Sequence, residues 1–262
     1  MTSNLWDQLK AYFPPNLDAG LSLAGVIFVP IIATSMPQPQ PAANLYVTFQ
    51  ENFYHGLLPY RWSTTYGSGG NGEMQYYAPE AVTVRDGILR LTATVQEQKG
   101  KPYTSGIVHT QERFAQLYGR WEVRARVPAG QGFWSAFWLL TADPKYRPQE
   151  IDIFEILGHN TTTAVQVYHD TGIKERGEAY ADFTAWHTFA LDWTPSALVW
   201  YVDGKETHRT RPGVKLPSTP CFLLINLAVG GNWPGSPDSS TPFPSSLEVD
   251  FVRVWQWHTL PE

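Results

Sequence analysis

The sequence predicts an all-β sandwich or jelly roll, and three observations predict it. From residue 44 onward, short runs rich in Val, Ile, Tyr, Phe and Trp alternate with Gly, Pro, Asn and Asp. That is the texture of many short strands joined by turns. Asp86-Gly87 and Asp203-Gly204 stand between strand-like flanks, a strong hairpin signal. No stretch of useful length has helical periodicity, so the alternation of strands and helices that a parallel sheet needs is missing.

Taken in chain order, residues 1–43 stand apart. Ala19 to Ser35 is uncharged and mostly apolar, and a Pro/Gln stretch follows it. An apolar segment ending in Ala33-Thr34-Ser35 reads as a secretory signal or signal-anchor ahead of an extended linker. Pro30 and the short length argue against a stable membrane span. Residues 44–262 then form one domain. Within it GILRLTATV, YGRWEVRARV, IDIFEIL, ALVWYVDGKE and EVDFVRVWQW carry the apolar and aromatic residues of strands. Trp193, Trp200, Trp255 and Trp257 lie in such runs and are expected in the core.

Composition narrows the function. The chain has 262 residues, 43% apolar, 14% aromatic and 16% charged, with a net charge of −5. The apolar fraction suffices for a buried core, and the charged fraction is below the usual ~25%. No basic footprint for nucleic acid is present. Low charge with many aromatic rings suits carbohydrate recognition as well as a sandwich core. Cys221 is the single cysteine, so no intrachain disulfide forms. It opens the apolar run CFLLINLAVG and reads as a small buried hydrophobe. The seven histidines form no His-x-His or HExxH pair, so no sequence motif marks a transition-metal site.

The informative segment is Gln149-Glu150-Ile151-Asp152-Ile153-Phe154-Glu155-Ile156-Leu157-Gly158. In a regular strand Glu150 and Asp152 share a face, with Ile151 and Ile153 on the other. Glu155, five residues beyond Glu150, would point into the opposite layer, where an unpaired acid is costly. A β-bulge at Ile153-Phe154 returns it to the face of the other two. Three like charges on one face cost stability, so a structural role is hard to assign. Glycoside hydrolysis needs such a set: an ionised carboxylate and a protonated acid flanking the scissile bond, about 5–5.5 Å apart in a retaining enzyme. Trp134 and Trp138, four residues apart, share one strand face. Trp233, held between glycines and a proline in Gly230-Gly231-Asn232-Trp233-Pro234-Gly235, is hard to bury and reads as a sugar platform.

Glu-Ile-Asp-Ile-Phe-Glu resembles ExDxxE, the catalytic signature of glycoside hydrolase family 16, and the similarity runs over roughly residues 45–257. SGIVHTQERFAQLYGRWEVRARVPAGQGFWSAFWLL, FALDWTPSALVWYVDGKE and FLLINLAVGGNWPGSPDSSTPFPSSLEVDFVRVWQ follow the family in the same order. The bulged form is similar to the laminarinase-like branch, which acts on β-1,3-glucan. The resemblance implies a jelly roll of two curved antiparallel sheets with an open cleft on the concave face. It implies Glu150 as nucleophile, Glu155 as acid/base and Asp152 as assisting acid, with a bell-shaped pH profile at mildly acidic to neutral pH. It places Trp134 and Trp138 in the cleft, with Asn232 and Trp233 in the loop beside it. It adds Arg61, Trp62, Asn71 and Glu73 from the N-terminal cleft strand, and His169 near the acid/base. Ser135 stands where the family usually has Pro, and Gly72 where a second Asn is frequent.

The resemblance also implies a structural calcium on the convex side. Its oxygen ligands would come from Glu51, the Gly87 carbonyl and Asp250. No organic cofactor is implied. The expected function is retaining endo-hydrolysis of β-1,3-glucan by a secreted or cell-surface monomer. The alternatives are hydrolysis or transglycosylation of another polysaccharide, such as mixed-linkage glucan or a galactan, and non-catalytic glucan binding.

Overall fold

The computed structural model describes residues 44–146 and 149–260. The signal or anchor expected in residues 1–43 lies outside the described residues. The described chain runs through β1 (Leu45–Glu51), β2 (Ser63–Thr64), β3 (Gly67–Ser68), β4 (Gln75–Tyr77), β5 (Val82–Arg85) and β6 (Ile88–Ala93). β7 (Tyr103–Ser105), β8 (Ile107–His109), β9 (Gly119–Arg126), β10 (Phe133–Thr141), β11 (Glu150–Leu157) and β12 (Thr163–Asp170) follow. β13 (Ile173–Tyr180), β14 (His187–Trp193), β15 (Leu198–Val202), β16 (Lys205–Arg209), β17 (Cys221–Val229) and β18 (Ser245–Trp257) complete the set.

These strands form the sandwich of antiparallel sheets that the sequence predicts. One sheet has the order β16-β15-β14-β9-β18-β6-β5, with β1 also paired to β18. The other has the order β13-β12-β11-β10-β17-β8-β2. A small sheet, β3-β4-β7, holds a parallel pair between β4 and β7. Asp86-Gly87 and Asp203-Gly204 make the expected hairpins: all four residues have positive φ, the signature of a type I′ turn. They join Arg85 to Ile88 and Val202 to Lys205.

Strand alternation decides what fills the interior. Along β10, Phe133, Phe137 and Leu139 enter the main core, while Ala136, Trp138 and Leu140 join an apolar cluster on the other face. Trp121, Trp193 and Trp200 are fully buried, Trp255 nearly so, and Trp257 is half-buried with its indole N–H directed to the Trp193 carbonyl. The core placement of Trp193, Trp200 and Trp255 is thus as expected, with Trp257 at its margin. Cys221 is buried at the head of β17, and burial pushes its thiol up, away from reactivity. Ser135 is buried on the core side and leaves the β10–β17 pairing continuous. No helix among the described residues is long and apolar enough to cross a membrane.

Candidate active site

The β-bulge expected in β11 is present. Trp138 pairs with Asp152 and Phe137 with Phe154, so Ile153 is the extra residue. Against β12 the register likewise shifts between Asp152 and Glu155. Ile151, Ile153, Phe154 and Ile156 all enter the core. Glu150, Asp152 and Glu155 therefore reach the opposite face together, where they line one cleft. A bulge disturbs the hydrogen-bond ladder, and the second sheet compensates: Trp200 Nε1 in β15 donates to the Asp152 carbonyl across the core at 2.9 Å.

The cleft encloses about 590 Å³, within the usual range for a ligand site. Its walls include Asn71, Glu73, Trp134, Trp138, His169, Asn232 and Trp233, as the sequence predicts. Trp134 and Trp233 meet edge to face, 5.2 Å between ring centroids, and Trp233 is 39% exposed. An exposed ring braced by a second one is a stacking surface for the C–H face of a sugar. The Asn232 N–H donates to the Asn71 carbonyl at 2.8 Å, which ties the two loops together. Gly72 has φ +75°, and a Cβ there would lie 2.9 Å from Asn232 Oδ1. The departure from Asn at this position thus lets the loops approach.

Arg61 and Trp62 are not in the cleft, contrary to expectation. Trp62 is buried against Phe49 and Phe53, with its indole N–H directed to Glu51. A large ring that finds both an apolar bed and a carboxylate acceptor has no reason to face solvent. Arg61 lies over the Phe49 ring and donates to the Gln50 carbonyl.

The residues expected to hold calcium are engaged by protein groups. Glu51 Oε1 accepts the N–H groups of Asn52 and Phe53, and Oε2 accepts Trp62 Nε1. Asp250 is paired with Arg124, whose guanidinium already supplies the countercharge. The Tyr54 ring packs against Gly87. EDTA is accordingly expected to leave the melting temperature unchanged. A fall of several degrees that added calcium reverses would restore the metal site.

Sequence reasoning missed several cleft residues. Asn226 accepts from Trp138 Nε1 at 2.8 Å and donates to Tyr77 Oη at 3.0 Å. Tyr77 in turn donates to Glu73, which also accepts from Gln75 at 2.6 Å. This chain fixes the Trp138 ring and holds Glu73, whose carboxyl burial pushes up to about 7. A lone Asn inside the apolar run CFLLINLAV was the available signal. Lys174 and Arg176 also line the cleft. They alternate on β13, and Lys174 pairs with His169 across the hairpin, so the period of two carried that information.

Electrostatics complete the site. Asp152 is buried, while Glu150 and Glu155 are half-buried. Burial, then the Asp152 charge, pushes Glu150 up to about 8, and His169 draws it back. Burial likewise raises Asp152 to about 8, against the pull of Lys174. Glu155 lies well above the usual carboxylate range, through burial and the charges of Asp152 and Glu150. The Trp134 indole pulls Glu155 down, although its N–H forms no well-aligned hydrogen bond. Three raised carboxyls on one face titrate as a set, and their mutual repulsion favours a state in which an anion and a protonated acid coexist.

These shifts have a stability consequence. Each carboxyl has a folded pKa above its unfolded one, so folding takes up protons between about pH 4 and 8. The native state therefore loses stability as pH rises through that window. Asp152→Asn is expected to raise the melting temperature at pH 8 by roughly 2–6 °C, equivalent to about 1–2 kcal/mol. The gain should vanish below about pH 3, where both the folded and the unfolded parent are protonated. Thermal melts across that range check it; an unchanged or lowered melting temperature at pH 8 would refute it.

A strand that turns three acids into an aromatic-walled cleft, at the cost of its own ladder, is built for glycosidic chemistry. Comparison with known proteins agrees. A beta-glucanase of Rhodothermus marinus is 34% identical over 78% of this chain and 82% of its own. An endo-1,3-1,4-beta-glycanase of Rhizobium meliloti is 33% identical over 74% of this chain; the aligned region spans only 46% of that relative. The catalytic domain of a laminarinase from Thermotoga petrophila superposes with a TM-score of 0.77 at 31% identity, covering 82% of this chain and 99% of that one. The sequence profile of glycosyl hydrolases family 16 matches residues 71–252, and the chain belongs to that family.

Proposed function

We propose that the protein is a retaining endo-hydrolase of β-1,3-glucan. The observation that carries the reading is the bulge, which brings Glu155 to the face of Glu150 and Asp152 within the cleft. The names of the similar laminarinase and beta-glucanase domains support the substrate class.

The chemistry needs Glu150 ionised while Glu155 keeps its proton. Glu150, as the anion, attacks the anomeric carbon while the bond to the leaving oxygen breaks and Glu155 delivers its proton there. The product of this step is a glycosyl ester on Glu150. Esterification removes the Glu150 charge, so part of the push on Glu155 disappears and its carboxylate accepts a proton from water. The water oxygen attacks the same carbon, the ester bond breaks, and Glu150 returns as the anion. Asp152 keeps the pair polarised from between them. Trp134 and Trp233 stack the sugar, while Glu73, Asn71 and Asn232 offer polar groups to its hydroxyls. A polymer substrate suits a secreted or cell-surface monomer.

The test is reducing-end release from laminarin, lichenan and agarose, with Glu150→Gln as control, and NMR of the first-formed anomer. Release from laminarin as the β-anomer, lost in the control, is the expected result. Release from agarose alone would overturn the substrate class. An α-anomer would overturn retention, and glucan binding without release would favour a lectin.

A further inference from the structure

We propose that Glu150, Asp152 and His169 together form a binding site for a divalent transition-metal ion, zinc above all, and that its occupancy blocks hydrolysis. One ligand atom from each residue lies within 4.8 Å of the others. His169 pairs directly with Glu150 across β11 and β12, and Asp152 is on the same face as Glu150. The ligands thus come from two adjacent strands, which is why no motif in the sequence announces them.

Two further observations point to an ion. His169 Nε2 and Asp152 Oδ2 are 3.3 Å apart. Two donors bound to tetrahedral zinc at about 2.0–2.2 Å are separated by roughly 3.3–3.5 Å. That edge of the tetrahedron is already in place. Asp152 Oδ2 belongs to a side chain only 5% exposed, and the His169 imidazole at 3.3 Å faces it without a well-aligned hydrogen bond. A buried carboxylate oxygen with that single contact is incompletely satisfied, and a metal ion between the two groups would complete it. Glu150 supplies the third ligand atom, and the open cleft gives water access as a fourth.

The donor chemistry sets the selectivity. One imidazole with two carboxylates is a set that zinc accepts. Calcium and magnesium call for oxygen ligands throughout, so they should bind poorly. Lys174, which lines the same cleft and acts on Asp152, opposes any cation. Arg176 lines the cleft too but is paired with Glu178 at 2.6 Å. Once zinc holds the Glu150 carboxylate, that oxygen cannot attack the anomeric carbon, so zinc and glucan compete.

The experiment titrates zinc chloride into the chelator-stripped full chain by calorimetry, with no substrate present. This separates the proposal from the substrate reading, whose failure would leave the metal result standing. One equivalent of zinc is expected to bind in the parent. His169→Gln should weaken it by roughly tenfold or more, since a lost ligand costs at least what an outer-shell partner does. Lys174→Gln should tighten it. His187→Asn, which alters a histidine paired with Asp203 away from the cleft, should leave it unchanged. With laminarin as substrate, zinc should raise KM without lowering kcat, and magnesium should not. Absence of zinc binding at millimolar concentration would overturn the proposal. So would equal affinity in the parent and His169→Gln, or loss of binding in His187→Asn.

Discussion

Glu150→Gln should lower kcat on laminarin by on the order of 10⁴–10⁶, the range for removing an activated nucleophile, while glucan binding and folding survive. Glutamine keeps the shape of the side chain, and Glu150 stands at the head of β11 with the rest of the strand anchored in the core. The substitution also removes a carboxyl that burial and Asp152 push up to about 8. The variant should therefore melt no lower than the parent at neutral pH. A loss of activity with an unchanged melting temperature would assign the effect to chemistry rather than to structure.

The sharper form of this prediction uses Glu150→Ala, which opens space for a small external nucleophile. With azide and an aryl β-glucan oligosaccharide, the azide nitrogen attacks the anomeric carbon, the aryloxide leaves, and Glu155 stays in place. The product is the α-glycosyl azide, of inverted configuration. Rescue with a β-product, or no rescue in a folded variant, would mean that Glu150 is not the attacking group.

Much of this site could be read in the sequence because its residues break local rules. Glu155 is wrong for a regular strand: its parity would bury a carboxyl in the core. Only an inserted residue resolves that conflict, and Ile153 is that residue. Trp233 could be read because glycines and a proline leave it no packed partner strand. Trp62 could not, because burial of a tryptophan depends on whether Phe49 and Phe53 fold over it, which is a tertiary matter. His169 was found by resemblance, yet its use as a ligand partner of Glu150 depends on cross-strand register, which no local pattern encodes. Asn226 and Tyr77 act through a hydrogen-bonded chain between sheets, and such chains close only in three dimensions. The indole that holds the bulge illustrates the same limit. Trp200 reads as core, and it is core, but its N–H also supports the Asp152 carbonyl.

Glu155→Gln should separate the two chemical steps and the two limbs of the pH profile. The active form needs Glu150 ionised and Glu155 protonated, so activity falls as pH drops through the Glu150 value and as it rises through the Glu155 value. Burial and mutual repulsion raise both groups. The profile of kcat/KM should thus be a bell whose acid limb lies above the ordinary carboxylate range and whose alkaline limb lies higher still. This places the optimum toward the neutral end of the mildly acidic to neutral range that the sequence suggests. In Glu155→Gln the alkaline limb should disappear, because no proton remains to be lost there. On laminarin, whose leaving oxygen must be protonated, the loss should be about 10²–10⁴-fold. An aryl glycoside with a good leaving group needs no such proton, so the first step should stay fast. The second step lacks its base, and a burst of phenol followed by slow turnover should appear. Azide should then accelerate turnover and yield the β-glycosyl azide, opposite in configuration to the product from Glu150→Ala. Survival of the alkaline limb in Glu155→Gln would move the proton donor to another cleft group, with His169 and Asp152 the nearest to examine. The paired configurations, α from one variant and β from the other, identify which face of the sugar each carboxylate meets.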